Sequence, residues 1–361
     1  METSKDFSFS ELIPGLPDEL GLECLTRLPY STHRLASRVC RRWRSLIETR
    51  EFHLLRRTNG HTHKLACLVQ ALPKRNAAET DNPTKENYTK RGDETAASFG
   101  VAVYDSAELS WHRLDPVPKY PDGLPLFSRI TSCEGKLVVI GGWDPQTYKT
   151  VTEVFVFDFS ENRWREGRKM PTKRSFFAAG AHSGRVYVAG GHDENKNALS
   201  STWVYDMARD EWSELTRMSH DRDECEGAVI GDEFWVVSGY GSDNQGTFEA
   251  SAEIYDFDTG MRRRVEGAWK EGRCPRGCVV GVWRGEERRL ASWSELDSEV
   301  LVGTCAVLLG DRAMIVGSGY QGGAHGFYEV ELREGQNGKV KKISVPAEFS
   351  GPIQSACCVE V

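Results

Sequence analysis

The 361-residue sequence has no apolar run long enough to cross a bilayer and no opening apolar segment of the kind that directs export, so neither a membrane span nor secretion is expected. An excess of positive charge is also missing. Lys and Arg number 46 against 53 Asp and Glu, a formal net charge of −7, whereas a duplex nucleic-acid partner needs a concentrated basic face. The ten cysteines lack finger-type pairing: Cys274 and Cys278 form one C-x-x-x-C and His61 and His63 one H-x-H, with no second pair at matching distance. Reduced thiols of a cytoplasmic or nuclear protein, with no metal and no cofactor, follow from that. Gly317, Gly319 and Gly322 spell G-x-G-x-x-G, but A-H-G-F-Y-E-V-E-L after them offers no helix end to a pyrophosphate. His220, Asp221, Asp223 and Cys225 include the residue types of a nucleophile and its base, yet adjacency along a chain is no evidence of triad geometry.

What the sequence does have is a repeat. G-K-L-V-V-I-G-G-W-D followed by E-V-F-V-F-D-F-S-E-N-R-W, over 135–164, returns as G-R-V-Y-V-A-G-G-H-D followed by S-T-W-V-Y-D-M-A-R-D-E-W. The glycine pairs Gly141-Gly142 and Gly190-Gly191 are 49 residues apart, and Trp164 and Trp212 are 48 apart. A period near fifty built of short strands predicts a β-propeller blade. Glycine suits places where packed blades bring backbones close, and the aromatic before each Asp meets the Trp seven residues later across an antiparallel pair. One blade cannot bury its own faces, so the unit must recur.

Weaker copies flank these two. A fourth blade spans 226–265, with Ser238-Gly239 at the glycine position and Arg262 where a Trp is expected; a last full blade runs from Ala306 to Val345. Cys274 to Val302 is too short for an ordinary blade and reads as a degenerate one, giving six blades, or five without it. Strand character at 62–72 and 99–105 supplies a first blade without its opening strand, interrupted by a polar stretch at 74–97 that reads as a mobile loop. The terminal Q-S-A-C-C-V-E-V is the missing strand, closing the ring over 62–361 and hiding both edges.

Residues 13–57 differ from the rest. Leu20, Cys24, Leu25 and Leu28 share a helical face behind Pro17, Asp18 and Glu19, and Pro29 ends that helix. Ser31 then caps a second helix whose one face carries Leu35, Val39, Trp43 and Leu46. Helices this short need cover from elsewhere.

Two resemblances rest on these residues. The repeat resembles the kelch repeat at Gly141, Gly142, Phe157, Trp164, Gly190, Gly191, Tyr205 and Trp212, and L-P-D-E-L-G-L-E-C-L-T-R-L-P with R-L-A-S-R-V-C-R-R-W-R-S-L resembles an F-box. Together they imply a mainly β fold, a kelch-type propeller behind a small α-helical F-box. They also imply a non-enzymatic role: the F-box docks on a Skp-type adaptor, and through it a cullin, while the propeller holds the protein to be ubiquitinated. Leu16, Pro17, Leu20, Leu25, Leu35, Val39 and Trp43 stand at the adaptor-facing positions of that family. The tail resembles a plant subgroup whose targets include phenylalanine ammonia-lyase and cytokinin-response regulators. A kelch metalloenzyme, or a scaffold without ligase attachment, is the alternative.

For the target, repeat symmetry points to one mouth of the channel. Arg174 and Arg222 each precede the glycine position of their blade by sixteen residues, Arg276 sits similarly, and Trp143, His192 and Tyr240 line the same rim. Such arginines suit an acidic or phosphorylated segment. The alternative is that each braces its own blade by bonding loop carbonyls.

Overall fold

The computed structural model describes residues 11–73, 98–270, 272–275, 279–284, 287–292, 302–320, 325–331 and 340–361. Arg276 and the loop expected at 74–97 lie outside the described residues. Four helices come first: α1 (Asp18–Thr26), α2 (Tyr30–Ala36), α3 (Arg41–Ile47) and α4 (Arg50–Thr58). Their common core is small, with Leu12, Leu25, Ala36, Ile47 and Phe52 buried. The second predicted helix is in fact two. Cys40 has an extended backbone and its Sγ accepts from the Trp43 amide at 3.4 Å, capping α3. That break leaves Leu35 and Val39 facing solvent, while Trp43 and Leu46 pack on the core. Ser31 lies inside α2, and Pro29 occupies the cap position.

Strands follow in blade order. Blade one holds β1 (Lys64–Ala71), β2 (Phe99–Asp105) and β3 (Ser110–Arg113); blade two, β4–β7 (Arg129–Cys133, Lys136–Ile140, Val154–Asp158, Arg163–Gly167). Blade three is β8–β11 (Ala178–His182, Arg185–Ala189, Thr202–Asp206, Glu211–Leu215), and blade four β12–β15 (Glu226–Ile230, Glu233–Val237, Ala252–Asp256, Arg262–Val265). A two-stranded hairpin, β16–β17 (Val279–Arg284, Glu287–Ser292), stands where the degenerate blade was expected. The last blade is β18–β21 (Val302–Leu308, Arg312–Ser318, Gly326–Glu331, Val340–Lys342). Among the described residues there are thus five four-stranded sheets and one two-stranded sheet, because β22 (Ile353–Glu360) completes blade one in the order β22-β1-β2-β3. It pairs antiparallel with β1, Lys64 opposite Glu360 and Cys67 opposite Cys357, and so closes the ring as the tail's pattern predicts. It also holds the next blade: Gln354 Oε1 accepts from the Phe127 amide at 2.7 Å and Ser355 Oγ from the Ile130 amide at 3.2 Å.

The signature residues do what the repeat requires. Phe157 faces Trp164 and Tyr205 faces Trp212 across their strand pairs, each ring pair 5.0 Å apart. Each indole also donates to the chain leaving the preceding blade, Trp164 to the Asp115 carbonyl at 2.7 Å and Trp212 to that of Arg168 at 2.8 Å. Arg262 stands in for the absent third Trp. Its guanidinium lies over the Tyr255 ring at 5.5 Å and donates to the Thr216 carbonyl at 2.9 Å, the equivalent acceptor. The glycine pairs sit at the ends of the second strands rather than on the inner ones. Gly191 has φ +79°, and a Cβ there would meet the Ser175 carbonyl at 2.3 Å. Inner-strand crowding is borne by Gly227, whose Cβ would meet the Ala179 carbonyl of the neighbouring blade at 2.4 Å.

The helices cover one end of the propeller. Arg50 pairs with Glu134 at 2.5 Å and Arg57 with Glu360 at 3.2 Å, and the Tyr30 ring stands edge-on to Phe159 at 6.1 Å. Under them is a buried tether. Arg56, 2% exposed, donates to the carbonyls of Thr26 and His61 and to His33 Nε2 at 2.8 Å. Burial first, then the Arg56 charge, pushes the His33 imidazole down to about 4, so it stays a neutral acceptor.

Candidate functional site

Two surfaces are left for partners. The first lies on the helices. Leu20, Leu35 and Val39 are 54%, 65% and 64% exposed, Pro17 is exposed and Leu16 half-buried. Leu25, 1% exposed, belongs to the helical core instead and is no contact residue. Trp43 is half-buried, its Nε1 donating to the Leu12 carbonyl at 2.7 Å, which ties the amino-terminal turn down against α3.

The second is the propeller mouth remote from the helices. The first turn of blade two, Glu134-Gly135, meets the helices, and the glycine-pair loop leaves the other end of the same strand. There Leu126, Ser175 and Asp223 pair by isolated bridges with Trp143, His192 and Tyr240, residue for residue in three successive blades. Sequence symmetry therefore places Trp143, His192 and Tyr240 correctly as equivalents. Depth it does not give: Trp143 is half-buried, whereas His192 and Tyr240 are 6% exposed.

The arginines require a correction. Arg174 and Arg222 are both 0% exposed, and neither can reach a target. Arg174 donates to the carbonyls of Gly190 and Ser201 and to Ser201 Oγ; Arg222 donates to those of Ser238 and Ser251 and to Ser251 Oγ. Each staples its blade's glycine loop. Burial pushes Arg174 down to about 10, which leaves it charged at neutral pH.

Without those arginines the mouth is aromatic and acidic. Phe127 and Phe176 meet tilted at 4.9 Å, Trp143 meets them edge-on at 5.3 and 5.7 Å, and His192 stacks on Phe176 at 5.3 Å. Phe127, Phe176 and Glu224 occupy equivalent places after the bridge residues, with φ of 57°, 58° and 50°. Bulky residues rarely hold that left-handed backbone, and such strain collects at working sites. Nothing in the sequence marks these three, because no residue type advertises it.

A polar chain crosses the floor. Trp143 Nε1 donates to Ser175 Oγ at 2.8 Å, Ser175 Oγ meets His192 Nε2 at 2.8 Å, and His192 Nδ1 meets Asp223 at 2.9 Å. An indole can only donate, so the one arrangement that uses every hydrogen runs Trp143 to Ser175 to His192 to Asp223. In that arrangement Ser175 donates to His192 Nε2 and His192 Nδ1 donates to the Asp223 carboxylate. The order Ser-His-Asp is that of a hydrolase relay, but Ser175 is 0% exposed and its oxygen is already an acceptor, so no electrophile reaches it. The adjacent His220, Asp221 and Cys225 take no part: Cys225 is buried, and Asp221 binds the Ser242 loop.

Among the described residues, His63, Asp105 and Glu108 are close enough together to hold a metal ion. Asp105, however, accepts from the amides of Ala107 and Glu108, the same turn that Asp158 and Asp206 make in other blades.

Comparison with known proteins agrees with this division. Residues 13–55 match the F-box domain and residues 88–278 the KLHDC2/KLHL20/DRC7 Kelch-repeats domain. The F-box/kelch-repeat protein At2g44130 of Arabidopsis thaliana is 42% identical over 79% of this chain and 74% of its own length. F-box/kelch-repeat protein SKIP20 of the same plant is 38% identical over 80% and 75%. A solved structure, "Structure of YjhT", superposes on 68% of this chain and 91% of its own with a TM-score of 0.51 at 13% identity, a likeness of fold alone.

Proposed function

The chain belongs to the F-box/kelch-repeat family, and from that premise we propose that it is the substrate receptor of a cullin-based ubiquitin ligase, bringing a protein target to a Skp-type adaptor. The observation that carries the reading is the apolar surface of Leu20 on α1, Leu35 on α2 and Val39 in the turn after it, each more than half exposed, on a helical unit that α2 and α4 dock on the propeller. Solvent-facing apolar residues at that density mark a partner site. The mouth at the far end of the ring is the target face. The chain itself performs no chemistry in this reading, and the enclosure of Ser175 supports that.

Phenylalanine ammonia-lyase and cytokinin-response regulators are the first targets to examine. In plant cells, the wild-type chain should lower the abundance of its target through the proteasome. A Leu16→Ala, Pro17→Ala variant should hold that target without degrading it. Equal degradation by both proteins contradicts the proposal.

A further inference from the structure

Resting on that reading, we infer that the mouth selects a cationic segment of its target, a Lys or Arg side chain laid against the exposed side of the Phe127, Trp143 and Phe176 ring cluster and facing Glu224. The expectation of an acidic or phosphorylated ligand depended on arginines that the blades consume internally. Charge at the mouth has the other sign. The Asp223 carboxylate is met by His192 Nδ1 at 2.9 Å, and the adjacent Glu224 carboxylate accepts from the Tyr240 hydroxyl at 3.1 Å. Among the described residues no Lys or Arg pairs with either carboxylate. Of the rim lysines, Lys119 is matched by Glu153 and Lys173 by Glu194, both at 2.7 Å, whereas Lys149 and Lys196 extend to solvent from the loops after Trp143 and His192.

Three further observations agree. The Tyr240 hydroxyl is held well above its usual range by burial and then by the carboxylates of Asp223 and Glu224, so the local field is negative. Phe127, Trp143 and Phe176 remain half-buried, and aromatic faces beside carboxylates attract a partly desolvated cation. Finally, the left-handed backbone at Phe127, Phe176 and Glu224 fixes aromatic, aromatic and acid at equivalent positions of adjoining blades, a rigid presentation that limits the ordering cost of binding.

The probe is a random peptide library panned against the full chain bound to its adaptor, with Glu224→Gln, Glu224→Lys and Trp143→Ala as counter-selections. Gln at 224 still accepts from Tyr240, so the fold is kept. The captured pool should be rich in Lys and Arg. A selected cationic peptide should bind about tenfold more weakly to Glu224→Gln, and more weakly still to Glu224→Lys. A pool enriched in Asp and Glu, or cationic peptides indifferent to Glu224, overturns the inference while leaving the mouth as target face if Trp143→Ala still abolishes capture. Peptides indifferent to Trp143 as well overturn the target-face reading with it.

Discussion

A loop arginine can meet a ligand or its own backbone, and the geometry of acceptors decides. At Arg174 and Arg222 a planar fork of donors meets two carbonyls and a hydroxyl of the same blade, so the side chain is spent on holding the glycine loop. Arg174→Met should strip the buried Gly190 carbonyl and Ser201 Oγ of the guanidinium and leave the Ser201 carbonyl with the Gly190 amide alone, at a cost of about 2–4 kcal/mol in urea unfolding, with adaptor capture unchanged. Lost target capture at unchanged stability would instead restore the arginine as a ligand. Spacing in the sequence made the two arginines equivalent, correctly, but whether an equivalent side chain points out or folds back depends on acceptors that spacing does not encode. Arg262 shows the converse: the missing Trp looked like a defect, and the guanidinium supplies both the ring contact and the donor.

Among elements, β22 connects most of the structure. It completes blade one, supplies acceptors to Phe127 and Ile130 of the next, and sends Glu360 to Arg57 of the helices. Deleting Ile353–Val361 should bare the edge of β1 and the buried faces beneath Val359 and Val361, giving insoluble protein. A soluble truncation that unfolds cooperatively would contradict the closing role. This strand was legible because the first blade visibly lacked one and the tail visibly had one. The break between α2 and α3 was not, since Leu35, Val39, Trp43 and Leu46 continue a helical spacing straight through a cap made by a thiol. That hidden break matters, because it turns Leu35 and Val39 outward.

At the scale of the whole molecule the proposed adaptor and target surfaces lie at opposite ends of the ring, which in the proposed function sets the distance from ligase to target. The account predicts that they separate genetically. The decisive measurement is titration of purified Skp-type adaptor onto the full chain, comparing wild type with a Leu20→Asp, Val39→Asp variant and a Trp143→Ala, Glu224→Lys variant. Loss of buried apolar anchors should cost the first variant about 2–4 kcal/mol of adaptor binding, while the second binds as wild type does. Adaptor affinity unchanged by the two aspartates, in protein that melts normally, would contradict the account.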